Sequence, residues 1–130
     1  MKDVDAISAD VVTAAIRIHR ELGPGLLESV YEIVLAAMLE RMGYKVERQV
    51  PVDIQFDGLS FTAAFRVDLL IDGCFVVEIK SVERLSGAHA KQLLTYLRLL
   101  KQPLGLLLNF AGETMKEGIK RLVNDHRSTR

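Results

Sequence analysis

Three charged residues interrupt apolar segments in the middle of the chain, at Asp68, Glu78 and Lys80. Glu78 and Lys80 follow four apolar residues in a segment whose pattern predicts a β-strand, and alternate side chains of a strand share one face. A carboxylate and an ammonium group at the end of such a strand lose hydration and need partners. Glu78 could therefore bind a metal ion while Lys80 binds a phosphate, a water molecule or a leaving group. The alternative is a structural ion pair.

Asp68 is the sole carboxylate of the apolar residues 65–71, and an Asp72-Gly73 turn separates these residues from the Glu78 strand. Folding the two strands into a hairpin places Asp68 close to Glu78 and Lys80. Two adjacent carboxylates repel each other and raise each other's pKa unless a cation is present. Mg²⁺ or Mn²⁺ suits one or two carboxylates combined with water and substrate phosphate. The spacing therefore predicts a divalent-metal site.

Two further groups of residues could complete this site. Glu28 lies near the start of a predicted helix, with Tyr31 at i+3. The alternatives are an acid favoured by the helix dipole and a core tyrosine whose hydroxyl reaches the rim. Gln92 and Tyr96 lie four residues apart on a later helix, with His89 on the same face. An amphipathic helix with polar residues at its solvent boundary is the alternative for that group.

Hydrophobic spacing predicts four helices, an antiparallel meander of three or four strands, and one later strand. The predicted helices cover residues 8–22, about 26–42, about 88–101 and 114–125. The meander covers residues 45–50, 52–56, 61–71 and 74–81, with a bend or bulge at Pro51, and the later strand covers residues 104–110. The last strand is almost wholly apolar, which is typical of the interior of a sheet next to a helical crossover. We therefore expect an α/β (α+β) fold in which helices flank a mixed sheet.

The composition indicates a single domain over residues 1–130, with 49% hydrophobic residues. The 17 basic and 17 acidic residues cancel, so a nucleic-acid partner would depend on a local basic surface. No apolar run approaches the roughly 20 residues of a membrane-spanning helix. Cys74 is the only cysteine, and the first residues show no secretion signal. We therefore expect a reduced, cytoplasmic protein without a membrane partner.

Five segments together resemble the bacterial GxxExxY family. The first is Gly25-Leu26-Leu27-Glu28-Ser29-Val30-Tyr31, which carries the motif itself. The others are residues 65–70, 77–80, 89–97 and 105–110, so the similarity extends from about residue 9 to residue 123. The segments follow the order of the family, and this combination is more specific than any one motif.

The resemblance implies a PD-(D/E)XK nuclease-like protein. Such proteins have a restriction-endonuclease-like αβββαβ core, here with an extra helix expected at each end. In that superfamily the residues matching Glu28, Asp68 and Glu78 hold one or two metal ions, and the lysine matching Lys80 positions or activates water. Gln92 and Tyr96 look like the Gln-x-x-x-Tyr motif of RecB-type members, which helps to orient substrate, and we assign Tyr31 to the same role. Val67 replaces the proline of the superfamily pattern, a position that varies in many members.

Two functions from different classes remain open. The first is a divalent-metal-dependent nuclease that hydrolyses phosphodiester bonds in DNA, with RNA as the alternative substrate. The second is a catalytically inactive module that binds nucleic acid or protein on the same scaffold. A homodimer is compatible with both, because dimers are the commonest oligomers and the predicted sheet has an open edge.

Overall fold

The computed structural model describes residues 3–125, which form three α-helices, five β-strands and one short 3₁₀ helix. In chain order these are α1 (Val4–Leu22), α2 (Glu28–Arg41), β1 (Val46–Phe56), β2 (Leu59–Ile71), β3 (Phe75–Lys80), α3 (Gly87–Leu100), β4 (Leu104–Asn109), the 3₁₀ helix (Lys116–Gly118) and β5 (Ile119–Val123). The strands form one sheet in the order β1-β2-β3-β4-β5. Only β3 and β4 are parallel, because the chain crosses from one to the other through α3. This mixed sheet confirms the expected fold class.

Helices cover both faces of the sheet. The α1 and α2 helices pack against the odd-numbered residues of β3, among them Val77 and Ile79. The α3 helix packs its Leu93 and Leu97 against Val76 on the opposite face. Since side chains alternate along a strand, Glu78 and Lys80 share the α3 face with Val76. The two apolar layers therefore determine the face of the sheet on which the side chains of Glu78 and Lys80 lie.

A side-chain cap and a glycine determine where α1 begins and ends. Asp3 caps its first turn, because the carboxylate accepts a 2.8 Å hydrogen bond from the backbone N–H of Ala6. Gly23 ends it with φ at +77°, a left-handed conformation that favours glycine. This helix is the extra N-terminal helix that the sequence predicts. None of the helices within residues 3–125 has the length and apolar character needed to cross a membrane.

The predicted C-terminal helix over residues 114–125 is wrong. The chain instead makes the 3₁₀ turn and then β5, which pairs antiparallel with β4 from Leu108↔Ile119 to Leu104↔Val123. Gly118 interrupts the helical segment, and β4 would otherwise expose an unpaired edge. Tertiary pairing therefore overrides a local pattern that favours helix.

The strand β1 runs through Pro51 without a break, so the meander has three strands, the smaller of the two predicted numbers. A proline fits here since β1 lies at the edge of the sheet, where one missing N–H donor is tolerated. The irregularities lie elsewhere. The register with β2 shifts between Val52 and Ile54, and Gln49 adopts a positive φ of 52°.

Gly118→Ala tests the close approach that β5 requires. A Cβ at this position would overlap the backbone carbonyl oxygen of Asn109 at the end of β4. We expect the substitution to lower the free energy of unfolding by about 2 kcal/mol or more, as overpacking does. Gly87→Ala is the matched control, because a Cβ there meets nothing within 4 Å. Chemical denaturation of both variants measures the difference, and equal stabilities would contradict the packing described.

Candidate functional site

Two carboxylates meet where β2 and β3 separate. The paired register of these strands reaches Leu69↔Val77. Beyond that pair, the N–H of Asp68 donates to Oε2 of Glu78 at 2.8 Å, and the N–H of Ile79 donates to Oδ2 of Asp68 at 2.8 Å. Each carboxylate thus takes the place of a backbone acceptor on the neighbouring strand. This exchange holds Asp68 and Glu78 side by side.

The environment of Glu78 disfavours a negative charge in the absence of a cation. The residue is only 4% exposed, whereas Asp68 is half-buried. Burial, followed by the neighbouring charge of Asp68, raises the pKa of Glu78 to about 8. The backbone hydrogen bond from Asp68 and the charge of Lys80 act in the opposite direction but are smaller. A divalent cation bound at the two acids would lower this pKa and favour the ionised form of Glu78.

The donor atoms of this pair suit a hard cation. No side-chain polar atom within residues 3–125 is both buried and unpaired. The side chains of Glu78 and Asp68 also hydrogen-bond to each other, so their oxygens lie close together. The ammonium group of Lys80 forms no hydrogen bond or ion pair with residues 3–125. Two adjacent carboxylates and a nearby ammonium group without an ion-pair partner in that part of the chain fit Mg²⁺ or Mn²⁺ together with a phosphate ligand.

Glu28 lies beside this pair without joining it as a third ligand. It is the first residue of α2, and its exposed carboxylate accepts a 3.2 Å hydrogen bond from the N–H of Ser81, directly after Lys80. Residues 3–125 contain no group of three or more His, Cys, Asp or Glu side chains placed to hold a metal ion. The structure therefore brings two of the three predicted metal ligands together and places the third at the end of β3.

Tyr31 holds the loop between α1 and α2 through hydrogen bonds to its backbone. Its hydroxyl donates to the carbonyl of Gly23 at 2.6 Å and accepts from the N–H of Leu26 at 3.1 Å. The ring is fully buried and stacks on Phe110 with centroids 4.3 Å apart. Any effect of Tyr31 on substrate would therefore act through this loop, which lines an open cavity of about 570 Å³ together with Glu28.

Tyr96 faces the carboxylate pair from α3. Burial raises the pKa of its hydroxyl, and the charges of Glu78 and Asp68 raise it further. Its ring stacks on Phe65 of β2 with centroids 4.1 Å apart. Gln92 lies one turn earlier, is exposed, and has an amide that forms no hydrogen bond with residues 3–125. The helix therefore brings Tyr96 to the site and leaves the amide of Gln92 free for a ligand.

His89 has a structural role in the same helix. Its Nδ1 accepts a 3.0 Å hydrogen bond from the N–H of Ser86, the residue that caps α3. This reciprocal capping occupies the imidazole at the first turn. For His89 this contact matches the alternative of polar residues at the solvent boundary of an amphipathic helix.

Two residues of the site are not identifiable from the sequence. Glu32 is only 5% exposed and forms an ion pair with Arg48, at 2.9 Å between Oε2 and the guanidinium. Gln49 lies between Glu32 and Asp68 and donates a hydrogen bond to each. The position of Glu32 one turn after Glu28 is visible in the sequence, but no pattern indicates that Gln49 faces the site.

The sheet order, the helices on both faces and the two acids at the β2–β3 fork define a restriction-endonuclease-like fold with a candidate metal centre. The model of the PD-(D/E)XK nuclease superfamily matches residues 5–122, and the chain belongs to that superfamily. A search of curated proteins finds no match.

One solved structure, that of the protein SSO0001, is similar to this chain in fold, with a TM-score of 0.56. The two sequences are 19% identical, and the match covers 92% of this chain and 66% of that protein. The chain therefore spans slightly less than two thirds of the length of SSO0001. At this identity the likeness concerns the fold alone.

The raised pKa of Glu78 predicts a stability that depends on pH. Without metal, folded Glu78 keeps its proton up to about pH 8, whereas the unfolded chain loses it near 4.5. The folded protein therefore binds more protons between these values, so the free energy of unfolding falls as pH rises from about 4.5 to about 8. Glu78→Gln should remove this part of the decline, on the order of a few kcal/mol.

Chemical denaturation with a chelator at pH 5 and pH 8.5 measures this difference. We expect the stability of Glu78→Gln relative to the wild type to be higher at pH 8.5 than at pH 5. Parallel pH profiles for the two proteins would show that Glu78 ionises normally in the folded chain.

Tyr31→Phe tests the contact between α2 and the loop. The variant keeps the stacked ring and loses both hydrogen bonds of the hydroxyl. We expect a loss of about 1–2 kcal/mol in unfolding free energy, together with faster amide exchange at Leu26. Hydrogen exchange followed by NMR measures both, with residues of β4 as the internal reference. Unchanged protection of Leu26 would contradict the proposed fastening.

Proposed function

We propose that this protein is a divalent-metal-dependent nuclease that hydrolyses phosphodiester bonds in DNA, with RNA as the alternative substrate. The observation that supports this proposal is the pair of carboxylates held across the β2–β3 fork, Asp68 and Glu78, with Lys80 on the same strand face as Glu78. Membership of the PD-(D/E)XK nuclease superfamily agrees with it. The two acids would hold Mg²⁺ or Mn²⁺, and Glu28 would act on the same ligand shell through water.

Each remaining residue has a role that follows from its position. When bound, the metal ion would supply charge stabilisation to the scissile phosphate and lower the pKa of a bound water. The uncommitted ammonium of Lys80 would orient the attacking water or neutralise charge that develops on the phosphate. The Tyr96 hydroxyl and the free amide of Gln92, both presented by α3, would contact the substrate next to the carboxylates.

Cleavage assays test the assignment of the two central groups. Asp68→Asn removes a metal-binding charge, and Lys80→Met removes the ammonium while keeping a similar apolar stem. We expect each variant to lose cleavage of single- and double-stranded oligonucleotides by about 100-fold or more, because one electrostatic group in an active site contributes that much. Lys45→Met is the matched control, since the Lys45 side chain is 76% exposed just before β1.

Far-ultraviolet circular dichroism and thermal unfolding would establish that all three variants fold. Full cleavage by Asp68→Asn or Lys80→Met would refute the catalytic assignment. An equal loss in Lys45→Met would point to nonspecific electrostatic binding instead of a role at the site.

A second candidate function is nucleic-acid binding without cleavage. The observation that favours it is the pair of carboxylates without a third metal-binding side chain within residues 3–125. In that case fluorescence polarisation would show oligonucleotide binding in the presence of a chelator, unchanged by Asp68→Asn. Binding that requires Mg²⁺ and is lost in this variant would exclude the candidate.

We also propose that residues 1–130 form one domain of the GxxExxY type. The support is that Glu28 and Tyr31, two of the three residues that give the motif its name, both make defined contacts around the site. The homodimer and the cytoplasmic location stay predictions.

A further inference from the structure

Gln49 connects the candidate metal centre to the ion pair that Arg48 forms with the buried carboxylate of Glu32. Its Nε2 lies 3.0 Å from Oδ1 of Asp68 and 2.6 Å from Oε1 of Glu32. An amide NH₂ group has two hydrogens, so it can donate one to each carboxylate. The two acceptors on either side also fix the orientation of the amide, because its carbonyl oxygen would repel both. The side chain therefore bridges α2 and β2.

The backbone of β1 is distorted to make this bridge. Neighbouring residues of a regular strand point to opposite faces. Arg48 and Gln49 nevertheless both donate to Glu32, at 3.0 Å from Nε of Arg48 and 2.6 Å from Nε2 of Gln49. Gln49 has a φ of +52°, a left-handed conformation that is strained in a residue other than glycine. The surrounding contacts offset this strain, and the result aims the amide at Asp68.

Glu32 gives the bridge a fixed end. Its carboxylate is buried, with Oε2 paired to Arg48 and Oε1 bonded to Gln49. The Arg48 side chain is 43% exposed, but loss of either donor would leave the buried carboxylate of Glu32 with fewer partners, so the structure resists this rearrangement. The other end of the bridge is half-buried Asp68, whose Oδ2 is held by Ile79 and whose Oδ1 is held by Gln49. Both oxygens of the carboxylate are therefore oriented before any ligand arrives.

We propose that Gln49 is a positioning residue that fixes the orientation of the Asp68 carboxylate for metal binding, with the Glu32–Arg48 pair as its anchor. This inference rests on the proposed metal site at Asp68 and Glu78. Residues that hydrogen-bond to metal ligands typically change metal affinity 10–100-fold when they are replaced. Gln49 contributes by holding Asp68, without itself binding the ion.

The first arm of the test needs no metal. In ¹⁵N relaxation of the side-chain amides of the wild type, the Gln49 NH₂ should be rigid and the Gln55 NH₂ mobile. Gln55 is the matched control, since it is an exposed residue of the same strand, paired with Ser60 away from the site. Gln49→Met should also change the χ1 couplings of Asp68 from one rotamer to an average, whereas Gln55→Met should leave them unchanged. Equal mobility of the two amides, or an unchanged Asp68 rotamer in Gln49→Met, would overturn the positioning role.

The second arm titrates Mn²⁺ into the same proteins by calorimetry. We expect Gln49→Met to weaken binding about 10–100-fold and Gln55→Met to have no effect. Equal affinity of Gln49→Met and the wild type would overturn the proposal while leaving the metal site intact. A wild type that binds no Mn²⁺ would overturn the proposed function and the metal part of this inference. The relaxation data would then still decide whether Gln49 holds Asp68.

Discussion

The structure depends on the exchange of hydrogen bonds between Asp68 and Glu78 where β2 separates from β3. Two backbone N–H groups lose their strand partners at this fork, and the two carboxylates replace them at 2.8 Å. The same bonds that satisfy the backbone bring two acids together in a partly buried position. Folding therefore creates an electrostatic conflict, and the raised pKa of Glu78 is its consequence. A cation between the acids would resolve that conflict.

The other helices and strands position further polar side chains around this fork. The central strand β3 is fixed by pairing with β2 on one side and β4 on the other, and the helices bury both of its faces. The α3 helix covers the face that carries Glu78 and Lys80 and adds Tyr96. The first two turns of α2 supply two acids. Glu28 contacts the end of β3, and Glu32 contacts Gln49 of β1. The geometry of one strand pair and two helix positions is thus enough to bring the acids, the Lys80 ammonium group and the amides together.

Much of this arrangement could be predicted from the sequence. The Asp72-Gly73 turn and the alternation of the strands predict that Asp68 lies near Glu78, because hairpin register follows from turn position. The sequence does not predict that β5 is a strand, because its pairing with β4 outweighs a local pattern that favours helix. The role of Gln49 could not be predicted either, because a positive φ in the middle of a strand reverses the face on which a side chain lies. Burial of Glu32 is likewise a property of packing that spacing alone does not determine.

The number of protons released on metal binding tests the central claim most directly. Titration calorimetry with Mg²⁺ at pH 7, in buffers of different ionisation enthalpy, measures that number. Because the pKa of Glu78 is about 8 without metal, the account predicts saturable binding with the release of close to one proton per ion. Absence of binding would contradict the claim that Asp68 and Glu78 form the metal site, and binding without proton release would contradict the raised pKa of Glu78 on which the electrostatic conflict rests.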